Sequence, residues 1–318
     1  MGVRFDFVKC HGSGNDFPLI DARAIALADA EWARVARALA DRTGDVGGDG
    51  LLLLVGGDAT HGFGMRMFNP DGSEAETCLN GLRCTARLGF EVTGQDAAAV
   101  GLKQSDALCR AVAPVARGVT TIETKVGPVS LAPGDVGLAT GTEPFVDAAI
   151  PGLPNERRFT AVAMPNPHLV AFVDAVDETE LVALGDWCEA APALIPGRAN
   201  VSFVELRETG HAPALFVRTY ERGVGLTDSC GSAMAASTHA AARTGRIGWG
   251  VETRVFNRGG MVRAQADADG VVTIAGNATF EWDGSIEVDP ATGIAGPLAI
   301  AGRRDEEVAA WAAMLAAL

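Results

Sequence analysis

The chain has 318 residues, 48% hydrophobic and 21% charged, with a formal net charge of -14 and only three lysines, Lys9, Lys103 and Lys125. This length predicts two domains sharing a long interface, and the composition is that of an ordinary globular protein rather than a disordered one. The acidity argues against nucleic acid or an anionic membrane surface as a partner.

The opening residues Met1 to Asp6 show no apolar signal region, and the apolar stretch Ala309 to Leu318 is too short to span a bilayer, so a cytoplasmic protein is expected. Short apolar or alternating runs at Val3 to Lys9, Phe17 to Asp21, Leu51 to Val55 and Met65 to Asn69 predict strands, with a helix over Ala30 to Asp41. Leu82, Ala86 and Phe90 recur at helical spacing and predict a short helix over Asn80 to Phe90, opening just after Cys78. Residues 92 to 119 show little periodicity and read as a surface insertion, after which Thr120 to Lys125 resumes strand character.

The second half follows with strands near Phe159 to Ala163, His168 to Val173, Asn200 to Leu206 and Leu215 to Tyr220, and a helix around Glu178 to Ala190. Asp228 and Ser229 are candidate caps for a helix from about Gly231 to Thr244 that Gly245 stops. Strands from Thr253 to Trp282 and an amphipathic helix over Arg303 to Leu318 complete the chain. The boundaries expected are 1-128 for a first domain, with a return from about 284 to 318, and 129-283 for a second. Each half places one cysteine at a helix N-terminus, a repeat in architecture rather than in sequence.

The six cysteines, Cys10, Cys78, Cys84, Cys109, Cys188 and Cys230, are scattered without zinc-type spacing, so reduced thiols and no metal site are expected. A cysteine taken alone is more often a small buried hydrophobe than a reactive group, and Cys10, Cys84, Cys109 and Cys188 keep that reading. Cys78 and Cys230 stand instead in polar, glycine-containing turns. A helix N-terminus carries outward N-H groups and a partial positive charge, which stabilise a thiolate and also bind a carboxylate. One element thus supplies a base and an anion site.

The motifs around these cysteines resemble those of the diaminopimelate epimerase family. Lys9 to Phe17 (KCHGSGNDF) is similar to that family's KxHGxGNDF opening, and Asp71 to Glu74 followed by Cys78 to Cys84 (DGSE, CLNGLRC) to its DGSE and CGNGxRC segments. Asn166-Pro167-His168, Asn200-Val201 with Phe203, and Tyr220 to Gly223 leading to Cys230-Gly231-Ser232 continue the resemblance in order, over residues 3 to about 283. It implies a mixed α/β fold of two similar domains, each a barrel-like sheet around a central helix, with the active site in the cleft between them. It also implies no pyridoxal phosphate, no metal and a small amino-acid substrate; a homodimer is left open.

The resemblance further implies that Cys78 and Cys230 exchange a proton at the α-carbon, one as thiolate and one as thiol. By the same resemblance His168 and Glu221 tune the thiols and hold the substrate amino group, although a lone histidine is more often structural and Glu221 beside Arg222 is equally an ion pair. Leu79, Asn80, Gly231 and Ser232 would offer backbone N-H groups to the reacting carboxylate. Asn15 matches a contact to the reacting end, and Asn69, Asn166, Asn200 and Arg222 match ligands of the far amino-acid end. Leu79, Leu226 and Ala233 depart from the family's usual glycine, glutamate and glycine. Leu79 and Leu226 keep open a second reading, a cofactor-independent racemase of another amino acid, and a non-catalytic amino-acid-binding paralogue that keeps the pocket is a third.

Overall fold

The computed structural model describes residues 2-164, 166-210 and 212-317, and the chain divides into two compact units, Met1–Thr124 with Ala275–Leu318, and Lys125–Ile274. In the first unit the hairpin β1 (Val3–Gly12) and β2 (Asn15–Asp21) leads through α1 (Asp29–Ala40) to β3 (Leu51–Gly56), parallel to β2, and β3 turns back into β4 (Phe63–Phe68). Helix α2 (Leu79–Thr93) then crosses to β5 (Ala97–Gly101), which is parallel to β4 and forms a hairpin with β6 (Asp106–Val112).

The run Leu51-Leu52-Leu53-Leu54 is continuously apolar because both faces of the sheet are covered. Leu51 and Leu53 pack with Trp32, Val35 and Leu39 of α1. Leu52 lies under α2, where a Cβ added at Gly81 would meet its side chain at 2.7 Å. Helix α2 packs against β1 to β6 and ends at Gly94, whose φ of 71° is the left-handed conformation glycine adopts without strain.

The second unit repeats this order. The hairpin β8 (Thr160–Met164) and β9 (Asn166–Val173) leads through α4 (Glu178–Glu189) to β10 (Asn200–Thr209), parallel to β9, which pairs antiparallel with β11 (Ala212–Glu221). Helix α5 (Gly231–Arg243) then crosses to β13 (Thr253–Asn257), parallel to β11 and in a hairpin with β14 (Gly260–Ala266). Residues Gly231 to Ala242 of α5 are all buried, in keeping with its small side chains. The core under α4 joins Leu181, Leu184 and Cys188 to Phe159, Leu169, Phe203 and Tyr220. Two units of like topology, each wrapping strands around one buried helix, follow from this order.

The structure corrects three expectations. Residues 92 to 119 contain the β5–β6 hairpin; Ala107 and Cys109 alternate as buried positions on β6 between exposed Asp106, Leu108 and Arg110, a short pattern that the small residues of β5 obscure. The chain returns to the first unit at Ala275, earlier than about 284, because β16 (Thr279–Val288) pairs with β1 along its length. Neither Asp228 nor Ser229 caps α5: the N-cap residue is Cys230, while Asp228 accepts from Arg218 at 3.2 Å and Ser229 Oγ accepts from Asn257 at 3.1 Å. The final helix is α6 (Asp305–Leu315), which buries Trp311 and Met314 and packs against β16. Among the described residues no helix is long and apolar enough to cross a membrane.

Candidate active site

Cys78 is the N-cap residue of α2, with φ of -150°, and its Sγ accepts from the Gly81 N-H at 3.4 Å. This is the capping geometry usually filled by serine, threonine or aspartate. Leu79 and Asn80 open the helix, so their N-H groups lie outside the intrahelical ladder at the positive end of the helix dipole. Leu79 is buried and is absent from the residues with positive φ, so a leucine in place of the family's glycine is not strained there.

The loop between β1 and β2 completes this half of the site. The Cys78 thiol lies 3.7 Å from Oδ1 of Asn15, and Nδ2 of Asn15 donates to Oδ2 of Asp49 at 2.5 Å. Asp49 also accepts from the Asp16 N-H at 3.1 Å and from Arg42 at 2.6 Å. Asn69, just after β4, is half-buried and donates to Ser73 within its own turn at 3.0 Å.

Beneath the start of α2 lies Arg83, a fully buried cation. Its Nε donates to the Asn277 carbonyl at 3.0 Å, Nη1 to the Leu79 carbonyl at 3.3 Å, and Nη2 to Ser13 Oγ at 3.1 Å and Asn80 Oδ1 at 2.9 Å. Among the described residues no carboxylate pairs with it, and burial pulls its pKa below the usual arginine value. His11 beside this network is neutral, with burial bringing its pKa down to about 4.

In the second unit Cys230 is likewise the N-cap residue, of α5, with φ of -128°. Its Sγ is 3.4 Å from Ser232 Oγ, and Gly231 and Ser232 open the helix. On the neighbouring strands a polar cluster forms. His168, fully buried, places Nε2 3.0 Å from Asn166 Oδ1 and 3.4 Å from Asn200 Nδ2. Asn200 Oδ1 accepts from the Arg222 N-H at 2.8 Å, and the Arg222 guanidinium donates to the Gly197 carbonyl at 3.0 Å. Burial, with the Arg222 charge second, lowers the His168 pKa to about 3, so the imidazole is uncharged. Glu221 ends β11 immediately before Arg222. Leu226, on β12 (Gly225–Thr227), is 37% exposed, whereas Ala233 is fully buried in α5.

Residues predicted as one site therefore gather within each unit as two groups: Asn15 with Cys78, Leu79 and Asn80, and Asn166 with His168, Asn200 and Arg222. Asp49 and Arg83 were not among them. A signal for Arg83 existed, since a charged residue spaced four from Leu79 and three from Ala86 sits on the apolar stripe of its helix. For Asp49 the turn Gly47-Gly48-Asp49-Gly50 showed a polar residue before a buried strand and nothing more. Among the described residues no group of three or more histidine, cysteine, aspartate or glutamate side chains is arranged to hold a metal ion.

The family described as Diaminopimelate epimerase matches residues 7-105 and 160-281 of the chain. The diaminopimelate epimerase of Clostridium acetobutylicum is 36% identical over 293 residues, 90% of this chain and 87% of the relative. That of Enterococcus faecalis is 37% identical over 285 residues, 86% of each. Among solved structures, a phenazine biosynthesis protein of the PhzF family from Bacillus anthracis superposes with a TM-score of 0.63 at 13% identity, over 90% of this chain and 99% of that one. A hydroxyproline epimerase from Agrobacterium vitis with bound trans-4-hydroxy-L-proline gives 0.62 at 15% identity, over 91% and 94%. At such low identities these two structures share the fold alone.

Proposed function

The chain belongs to the diaminopimelate epimerase family, and we propose that it interconverts LL- and meso-diaminopimelate by passing the α-proton between Cys78 and Cys230. The observation that carries the cysteine assignment is their equivalence: each is the N-cap residue of the buried central helix in one of two units of like topology. The reaction is an isomerisation in the supply of lysine and peptidoglycan precursors.

Epimerisation removes a weakly acidic proton from one face of a carbon and delivers a proton to the other, so it needs a base and an acid in opposition. In this reading one sulfur, as thiolate, takes the α-proton and the other, as thiol, gives one. Each turnover leaves the two sulfurs with their protonation exchanged. The helix starts supply what the intermediate needs. The N-H groups of Leu79 and Asn80, and of Gly231 and Ser232, face the reacting carboxylate and the charge that develops beside it.

Asn15 contacts the reacting end. The far amino-acid end lies with Asn69, Asn166, Asn200 and Arg222, whose guanidinium pairs with its carboxylate. His168 takes part as a neutral hydrogen-bonding group, because a pKa of about 3 keeps it uncharged through the pH range of the reaction. Glu221 supplies the negative charge that holds the substrate ammonium. Incubation with LL-diaminopimelate in heavy water under reducing conditions tests the function. Deuterium at the α-carbon and the meso product are expected, and the absence of both overturns it.

A further inference from the structure

The Asn15 side chain has two ends, and Asp49 decides which of them meets Cys78. Resting on Cys78 as a reacting thiol, we infer that Asp49 is a positioning residue: its carboxylate captures the Asn15 NH2, turns the Asn15 amide oxygen toward Cys78, and so favours the thiol form of Cys78.

The geometry runs in one direction. A carboxylate only accepts hydrogen bonds, so the 2.5 Å contact to Asp49 Oδ2 must come from Asn15 Nδ2. That leaves Oδ1 as the atom 3.7 Å from Cys78 Sγ, and a carbonyl oxygen there accepts from S-H but repels a thiolate. Sγ meanwhile accepts the Gly81 N-H at 3.4 Å, and a thiol can do both at once. Asp49 is itself fixed, by the Asp16 N-H at 3.1 Å and by Arg42 at 2.6 Å. Were the Asp49 acceptor absent, the Asn15 amide could rotate and present NH2 to sulfur, which favours the thiolate instead.

Other charged groups around the turn bear on the same equilibrium. Arg83 of α2 is the cation that opposes Asp49, stabilising a Cys78 thiolate through the buried start of the helix. On the strands packed against α2, Asp16 is matched by Lys9 at 2.5 Å and by Arg42 at 2.6 Å, and His11 is neutral. In the preceding turn Glu74 pairs with Arg66 at 2.7 Å and Glu76 is exposed. The orientation of Asn15 is thus the hydrogen-bonding control on Cys78 against this electrostatic background.

The test is the pH dependence of Cys78 alkylation by iodoacetamide, followed by peptide mass spectrometry, in the full chain and its Asp49→Ala and Asp49→Asn variants. Asp49→Ala should lower the midpoint by about one pH unit, roughly a tenfold faster alkylation on the acid side of the midpoint. Asp49→Asn, whose amide oxygen still accepts from Asn15, should shift it much less, and Asp49→Ala placed in an Asn15→Ala background should add no further shift. An unchanged profile in Asp49→Ala, an equal shift in Asp49→Asn, or an undiminished shift in the Asn15→Ala background overturns the proposal. If Asp49→Ala folds poorly, Asp49→Leu, which likewise offers Asn15 no acceptor, takes its place. This readout does not depend on turnover, so failure of the epimerase reading shows separately, as missing deuterium exchange.

Discussion

Arg83 Nη2 donates to Asn80 Oδ1 at 2.9 Å and to Ser13 Oγ at 3.1 Å, so one buried guanidinium ties the start of α2 to the loop that carries Asn15. Nη1 and Nε extend the brace to the carbonyls of Leu79 and Asn277. At the corresponding place in α5, five residues after Cys230, stands buried Ala235. The two helix starts are alike in backbone and unlike in what supports them.

Replacing Arg83 by methionine leaves these acceptors without their donor, at a cost of about 3 kcal/mol. Urea unfolding measures it. Arg83→Lys keeps the charge but not the fork geometry, and should recover only part of the loss. A methionine variant as stable as the parent would show that the network adds nothing net.

Substitution of either Cys78 or Cys230 by serine should slow epimerisation by about 10³-fold or more, since a hydroxyl is a far weaker base than a thiol near neutral pH. Product formation from both LL- and meso-diaminopimelate reports it. Full activity in either variant contradicts a two-thiol exchange.

Cys10, Cys84, Cys109 and Cys188 should stay unmodified by iodoacetamide in the native protein and react once it is unfolded. All four are buried. Desolvation pushes the thiols of Cys109 and Cys188 up to about 12, and burial beside Cys84 raises that of Cys10 well above its ordinary value. Cys78, half-buried, should be labelled before any of them. Mass mapping of the labelled peptides gives the order.

His239 of α5 is held neutral by burial, its pKa lowered from 6.5 to about 4, with its ring 5.3 Å from that of Trp249. The unfolded chain takes up this proton near pH 6.5 and the folded protein only near 4, so the contribution is complete above 6.5 and declines as pH falls through that window. His11, at about 4, and His168, at about 3, act in the same sense. Unfolding midpoints should therefore fall below about pH 6.5, and His239→Phe should make the decline shallower. An unaltered slope would mean that His239 does not couple protonation to folding.

The sequence by itself determined the parts that local chemistry controls. Cys78 and Cys230 are legible at helix starts because a cap is a property of a few consecutive residues, and the order of strands and helices because apolar periodicity is local. Where the local signal was weak, reading failed: the small residues of β5 hid a hairpin, and polar Asp228 and Ser229 looked like caps until the fold engaged them with Arg218 and Asn257. The tertiary structure alone decided the remainder. Arg83 meets the Asn277 carbonyl 194 residues away, and Asp49 meets Asn15 across 34. His168 is uncharged only because the folded chain removes it from water. Burial and hydrogen bonding over such separations depend on how the sheets close around α2 and α5, which no stretch of neighbouring residues specifies.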